Sequence, residues 1–175
     1  METISIKTYE EIIVKNVNCG KFKNKKDAIN LISYITGNSI IAEKQKPVRY
    51  IGGYGVCSYD PNLCYDSMYA IKKLYKTTSP RLRCIYHFLI SFPEYIEDVN
   101  TIKLISIDIC KYFYKNGFQC IYCVHEDTEN LHIHIAVNST SFTTGKQMHY
   151  PYHELNNTKT DLKKISYRVL KKNGY

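Results

Sequence analysis

A chain of 175 residues, 44% hydrophobic, is long enough to bury one core and too apolar to stay disordered. It has no run of about 18 apolar residues, which excludes a membrane-spanning helix, and Met1-Glu2-Thr3-Ile4 lacks the basic-then-apolar start of a signal peptide, so a cytoplasmic protein is expected. Its 24 basic residues against 16 acidic ones give a formal charge of +8. The excess gathers at Lys21, Lys23, Lys25 and Lys26, and again at Lys159, Lys163, Lys164, Arg168, Lys171 and Lys172, a balance that favours a polyanionic partner.

Thr3 to Lys7 alternates polar and apolar side chains and is predicted as a short strand. After the lysine-rich loop, Ala28, Leu31, Ile32 and Ile35 form the apolar stripe of a helix that Gly37 and Asn38 end. The glycines in Arg49-Tyr50-Ile51-Gly52-Gly53-Tyr54-Gly55-Val56 suggest bulges or a close approach of backbones. A helix is expected over about 62–75, a buried strand over 83–92, and a strong helix over about 98–116, stopped by Gly117. Strands follow at 118–125 and 131–137, a turn at Thr143-Thr144-Gly145-Lys146, and a last helix at roughly 152–171. Short connections between strands favour antiparallel pairing. The expected fold is therefore α+β, an antiparallel central β-sheet flanked by helices in two or three layers, in a single domain spanning 1–175.

Seven scattered cysteines read as reduced, small buried groups. Cys120 and Cys123 make a C-x-x-C, but no second pair follows, and positions three apart on a strand point to opposite faces. They are not expected to share a metal.

The segment His125-Glu126-Asp127-Thr128-Glu129-Asn130-Leu131-His132-Ile133-His134-Ile135-Ala136-Val137-Asn138 carries the chemistry. Read with period two, Leu131, Ile133, Ile135 and Val137 take one face, and His132, His134, Ala136 and Asn138 the other. The two imidazoles then stand about 7 Å apart at their backbones, close enough to converge on one ion. A short turn over 126–130 would bring His125 beside them as a third ligand, and Asp127 could receive a histidine N–H. His149 and His153 are spaced for one helical face and rank below these three.

This segment resembles the third motif of the MobA/VirD-type relaxases of plasmid mobilisation, in the HUH endonuclease superfamily. That motif has the shape H-x-D-x-x-N-x-H-x-H-x-x-x-N, met here by His125, Asp127, Asn130, His132, His134 and Asn138. Leu31-Ile32-Ser33-Tyr34-Ile35-Thr36 is similar to the first motif, and His87-Phe88-Leu89-Ile90-Ser91-Phe92 to the second. The resemblance covers roughly residues 25–170. Family relaxases are often longer, which would make this chain an N-terminal catalytic portion.

The resemblance implies a bacterial enzyme that nicks one DNA strand at an origin of transfer. Tyr34 would be the nucleophile and His125, His132 and His134 the metal ligands. Asp127 would assist as base or as histidine orienter, with Asn130 and Asn138 in support. Ser91 would hold DNA near the nick, and Lys21, Lys23, Lys25 and Lys26 would hold its backbone. The cofactor implied is Mg2+ or Mn2+, although imidazole ligands also suit Zn2+. The expected partners are single-stranded and hairpin DNA at the origin, with accessory relaxosome proteins and a coupling protein. Tyr50 and Tyr54 are the next candidates for the nucleophile. A rolling-circle replication initiator or transposase of the same superfamily would place it later, at Tyr167. A non-catalytic DNA-binding accessory protein and a hydrolase of small phosphoesters are rival readings from other classes.

Overall fold

The computed structural model describes residues 2–17, 22–38, 48–79, 81–148 and 152–175. Its elements are α1 (Glu2–Glu11), β1 (Ile13–Asn16), α2 (Lys25–Ile35), β2 (Val48–Tyr54), α3 (Pro61–Leu74), β3 (Ile85–Ser91), α4 (Val99–Lys115), β4 (Cys120–His125), β5 (His132–Asn138) and α5 (Tyr152–Lys172). The five strands form one sheet in the order β1-β3-β5-β4-β2, with every pairing antiparallel. The α+β expectation holds.

The sheet is covered on both faces, which makes three layers. On one face Phe88, Ile90, Val124, Ile133, Ile135 and Val137 pack under α4 and α5 through Ile102, Ile105, Ile109, Phe113, Leu162 and Leu170. On the other, Ile85, Ile121, Cys123 and Ala136 pack under α2 and α3 through Ala28, Leu31, Ile32, Ile35, Cys64 and Met68. Strand alternation forces this division. Cys120 belongs to the first cluster and Cys123 to the second, so the C-x-x-C pair is split by the sheet.

Local chemistry sets the helix limits. The Asn24 side chain accepts from the Asp27 N–H at the start of α2, and Asp60 caps α3 with Pro61 in its first turn. Asp98 accepts from the N–H groups of Asn100 and Thr101 at the start of α4. Gly117 leaves α4 at φ 86°. Gly52 answers to close approach, because a Cβ there would sit 2.6 Å from the Tyr122 ring. The register between β2 and β4 shifts between Val48 and Tyr50, ahead of the glycines, while Gly52 and Gly53 pair in regular register with Tyr122 and Ile121.

The N-terminus corrects the sequence reading. The segment expected as a strand over Thr3–Lys7 lies inside α1. Five alternating residues fit either period, and tertiary contacts choose the helix. Tyr9 packs edge-on against Tyr167 of α5 at 5.4 Å, and Lys163 donates to the Glu10 carbonyl at 3.0 Å. That carbonyl is in the last turn of α1, where no helical N–H reaches it. The first strand comes later, at β1, and pairs with β3 along the sheet edge.

Candidate active site

The β4–β5 turn does what its residues suggest. It sets His125 directly across from His132 in the ladder, with His134 two residues further along β5 opposite Cys123. One ring nitrogen from each histidine lies within 4.8 Å of the others, and all three residues are buried. The ring centroids are 5.4 Å apart for His125–His132, 4.7 Å for His125–His134 and 5.1 Å for His132–His134.

Hydrogen bonds identify the ligand nitrogens. His125 Nε2 lies 2.6 Å from the Ile35 carbonyl oxygen, and His132 Nδ1 lies 3.0 Å from that of Asn130. A carbonyl only accepts, so each of those nitrogens carries its ring's proton. In the neutral rings that can bind a metal, the lone pairs are then at His125 Nδ1 and His132 Nε2. These two atoms face one carboxylate oxygen, Asp127 Oδ1, at 3.7 Å and 3.3 Å. Two lone pairs and a carboxylate oxygen turned toward one another repel, and a cation among them converts repulsion into coordination. The donor set thus fits a divalent metal ion. Asp127 sits on the ligand side of the rings, while backbone carbonyls take the N–H groups that it was expected to receive.

Tyr34 belongs to the last turn of α2, one residue before the carbonyl that His125 engages. It is exposed, and its ring meets His134 edge-to-face at 5.8 Å. A cavity of about 560 Å³ opens there, bordered by Val17, Phe22, Asp27, Tyr34, His87 and His134. The rival tyrosines lie elsewhere. Tyr50, Tyr54 and Tyr167 pack against the cluster on the opposite face of the sheet. Tyr50 donates to Asn100 Oδ1 of α4 at 2.8 Å, and Tyr54 packs on Tyr114.

Ser91 pairs with His132 across the β3–β5 ladder and alternates on the same face as His87 and Leu89. Lys23, Lys25 and Lys26 are exposed around the start of α2, where the latter two are already helical. They stand at the far end of the helix from Tyr34, about 13 Å along the axis for Lys25. Lys25 pairs with Asp66 at 3.7 Å. Lys21 and His149 lie outside the described residues, as does the side chain of His153. The second basic group, on α5, belongs to the other face of the sheet, where Arg168 meets Asp108 at 3.5 Å.

The two asparagines of the motif differ in use. Asn130 contributes its backbone carbonyl to His132, and the same oxygen accepts from Thr128. Asn138 is a framework residue at the end of β5. It donates to the Met68 carbonyl of α3 at 3.1 Å and to Gln119 Oε1 at 2.8 Å, and it accepts from Thr140 N–H.

His87 was not among the site residues read from the sequence. It lies on β3, buried, with Nε2 2.8 Å from His134 Nδ1; the two rings meet end to end, centroids 5.1 Å apart and planes 24° apart, as an in-plane hydrogen bond requires. Burial, and then the nearby His125, push its pKa down to about 4, so it is neutral near pH 7. The signals available in the sequence were its place at the head of the second motif and its spacing from Ser91. Four residues apart on a strand, the two share a face.

Comparison with known proteins gives a consistent result. Residues 34–175 match the relaxase family model described as the MobA/VirD2-like nuclease domain. Protein TraI of Escherichia coli is 30% identical over 143 residues, covering 81% of this chain and 18% of that protein. A second protein TraI of Escherichia coli is 39% identical over 69 residues, covering 39% of this chain and 9% of its own length. The chain therefore spans less than a fifth of the length of these relatives. With more than half of its length matched, and a tyrosine and three histidines together on one face of its sheet, the chain belongs to the relaxase family through its MobA/VirD2-like nuclease domain.

Proposed function

We propose that this chain is the nicking domain of a conjugative relaxase, and that it cuts and rejoins one DNA strand at an origin of transfer by tyrosine transesterification. The observation that carries the reading is the edge-to-face contact of Tyr34 with His134, which sets a phenol beside a converging three-histidine cluster. Tyr34 Oη attacks the scissile phosphorus. The Tyr34 O–P bond forms, the P–O3′ bond breaks, and the phenol's proton is balanced by protonation of the departing 3′ oxygen. The products are a 5′-phosphotyrosyl strand and a free 3′-hydroxyl. One phosphodiester replaces another, so the step needs no nucleotide cofactor and runs backward to reseal or transfer the strand.

His125, His132 and His134 would hold the divalent ion, Mg2+ or Mn2+ in use, with Zn2+ also suited to imidazole. Such an ion draws charge from the non-bridging phosphate oxygens and orients the phosphate. Three neutral rings leave its charge largely uncancelled, and the Asp127 carboxylate on the same side would temper it. Ser91, in register with His132, would meet the strand beside the nick. Lys23, Lys25 and Lys26 would hold backbone phosphates at the far end of α2. Single-stranded and hairpin DNA are the proposed substrates. In the bacterial cell, relaxosome proteins and a coupling protein are the proposed partners of a longer chain of which this is the catalytic portion.

The placement of Tyr167 across the sheet, packed on Tyr9, weighs against the replication-initiator arrangement. The test is incubation with labelled single-stranded oligonucleotides tiled across the parent element's transfer origin, with Mn2+, followed by denaturing electrophoresis. A protein-linked strand that disappears in Y34F and H134A is expected. DNA binding without an adduct under any divalent metal would leave a non-catalytic accessory protein, and an adduct persisting in Y34F would move the nucleophile.

A further inference from the structure

The three histidines do not set their tautomers by the same means. For His125 and His132 the partner is a backbone carbonyl, which can only accept, so one tautomer is enforced. His134 Nδ1 has another imidazole nitrogen as partner, His87 Nε2 at 2.8 Å. That contact can form with either ring as donor. If His87 donates, His134 Nδ1 is the acceptor and the ring's proton sits on Nε2, where it blocks coordination. If His134 donates, its Nε2 keeps a lone pair.

We propose that His87 is a positioning residue for the metal centre, accepting the Nδ1–H of His134 and so holding His134 in the tautomer whose Nε2 can bind an ion. The inference rests on the metal reading given above. Three further observations support it. In the β3–β5 ladder His87 faces Ala136 while His134 faces Leu89, so the two histidines are diagonal neighbours on one face, within reach of long side chains. Phe22 packs edge-on against His87 at 6.3 Å, on a ring that lies end to end and nearly coplanar with that of His134, and so holds the imidazole in place. Finally, His87 Nδ1 is buried with no hydrogen-bond partner among the described residues. A position serving packing alone would be better filled by leucine, which buries no polar atom. An imidazole that tolerates this cost has a use for its other nitrogen. Outer partners of this kind orient a metal-binding histidine and raise its basicity.

The test compares His87→Leu, which keeps bulk but removes the acceptor, with His87→Gln, whose amide carbonyl can still accept. Mn2+ affinity is measured by isothermal titration, and metal-free stability by denaturant unfolding. Expected is a 10- to 100-fold weaker Mn2+ affinity in H87L, recovery of most of it in H87Q, and a metal-free unfolding midpoint for H87L no lower than that of the wild type. Wild-type affinity in H87L would make His87 a packing residue and overturn the proposal. If the wild-type protein itself fails to bind Mn2+, the metal reading falls and the inference with it.

A second measurement does not depend on any variant folding. Imidazole 15N spectra of the wild-type protein with Zn2+ should show His134 protonated at Nδ1 and His87 unprotonated at Nε2. A proton on His87 Nε2 would overturn the proposal while leaving the three-histidine site standing.

Discussion

His125 Nε2 donates to the carbonyl oxygen of Ile35 at 2.6 Å, joining the end of β4 to the last turn of the helix that carries Tyr34. The carbonyl belongs to the end of α2, where helical carbonyls lack an intrahelical partner. One hydrogen bond therefore does three things. It caps the helix, it selects the tautomer of a metal-facing imidazole, and it sets the distance between tyrosine and histidines. Replacing His125 should separate these effects. His125→Ala is expected to weaken Mn2+ binding at least tenfold and to cost about 1–3 kcal/mol of metal-free stability, since a buried carbonyl loses its donor. His125→Gln, with an amide N–H available, should recover part of the stability and none of the metal affinity. Titration calorimetry and urea unfolding check the two halves.

Metal binding should also register as thermal stability. An ion that binds only the folded chain adds about 2.7 kcal/mol at a hundred times its Kd. For a domain of this size that corresponds to a rise in Tm of roughly 5–10 °C. Scanning calorimetry with and without Mn2+ should show the rise in the wild type and in Y34F, and chelation should reverse it. His132→Ala should abolish it. An equal rise in H132A would place the ion elsewhere.

Asn138 answers to the motif but sits among framework groups. Its bonds to Met68, Gln119 and Thr140 are all buried or near the core. Asn138→Ala leaves several of these partners unsatisfied and should destabilise the fold by about 2–4 kcal/mol. The affinity for Mn2+ in the folded variant should stay within about twofold of wild type. A selective loss of metal affinity at unchanged stability would contradict this assignment.

Lys72 predicts an alkaline effect on stability. It is buried on α3 and donates to Ser139 Oγ at 2.6 Å and Thr140 Oγ1 at 3.2 Å, with no carboxylate among these partners. Burial lowers its pKa from 10.5 to about 8. Between those values the unfolded chain holds the proton that the folded chain has released. The stability contributed at this position therefore rises with pH from about 8 to about 10.5, and the penalty is fully present below that window. Cysteines and tyrosines titrate in the same range, so the quantity to measure is the stability difference between wild type and Lys72→Met. It should move in favour of the wild type by on the order of 1 kcal/mol per pH unit across that window, and a flat difference would refute the assignment.

Features that depend on covalent geometry and short-range pattern were legible in the amino-acid sequence. A strand repeats every two residues, so His132 and His134 had to share a face, with Ile133 and Ile135 on the other. A turn between two strands had to return His125 to their side. The same periodicities were enough for the helices from α2 onward, for strands β3, β4 and β5 and for the split of Cys120 from Cys123, while β1 and β2, the two edge strands, were not legible as strands. The tertiary structure decided what depends on partners far along the chain. The Ile35 carbonyl is 90 residues from His125, and His87 is 47 residues from His134, so neither tautomer nor the role of Asp127 could be read locally. The choice among Tyr34, Tyr50, Tyr54 and Tyr167 as a neighbour of the histidines was likewise a question of which sheet face each element covers. Five alternating residues at the N-terminus were too few to set a period, and docking on α5 made them a helix. Alternation sets the direction of a side chain from its own backbone, whereas hydrogen-bond partners and distances exist only after distant elements have packed.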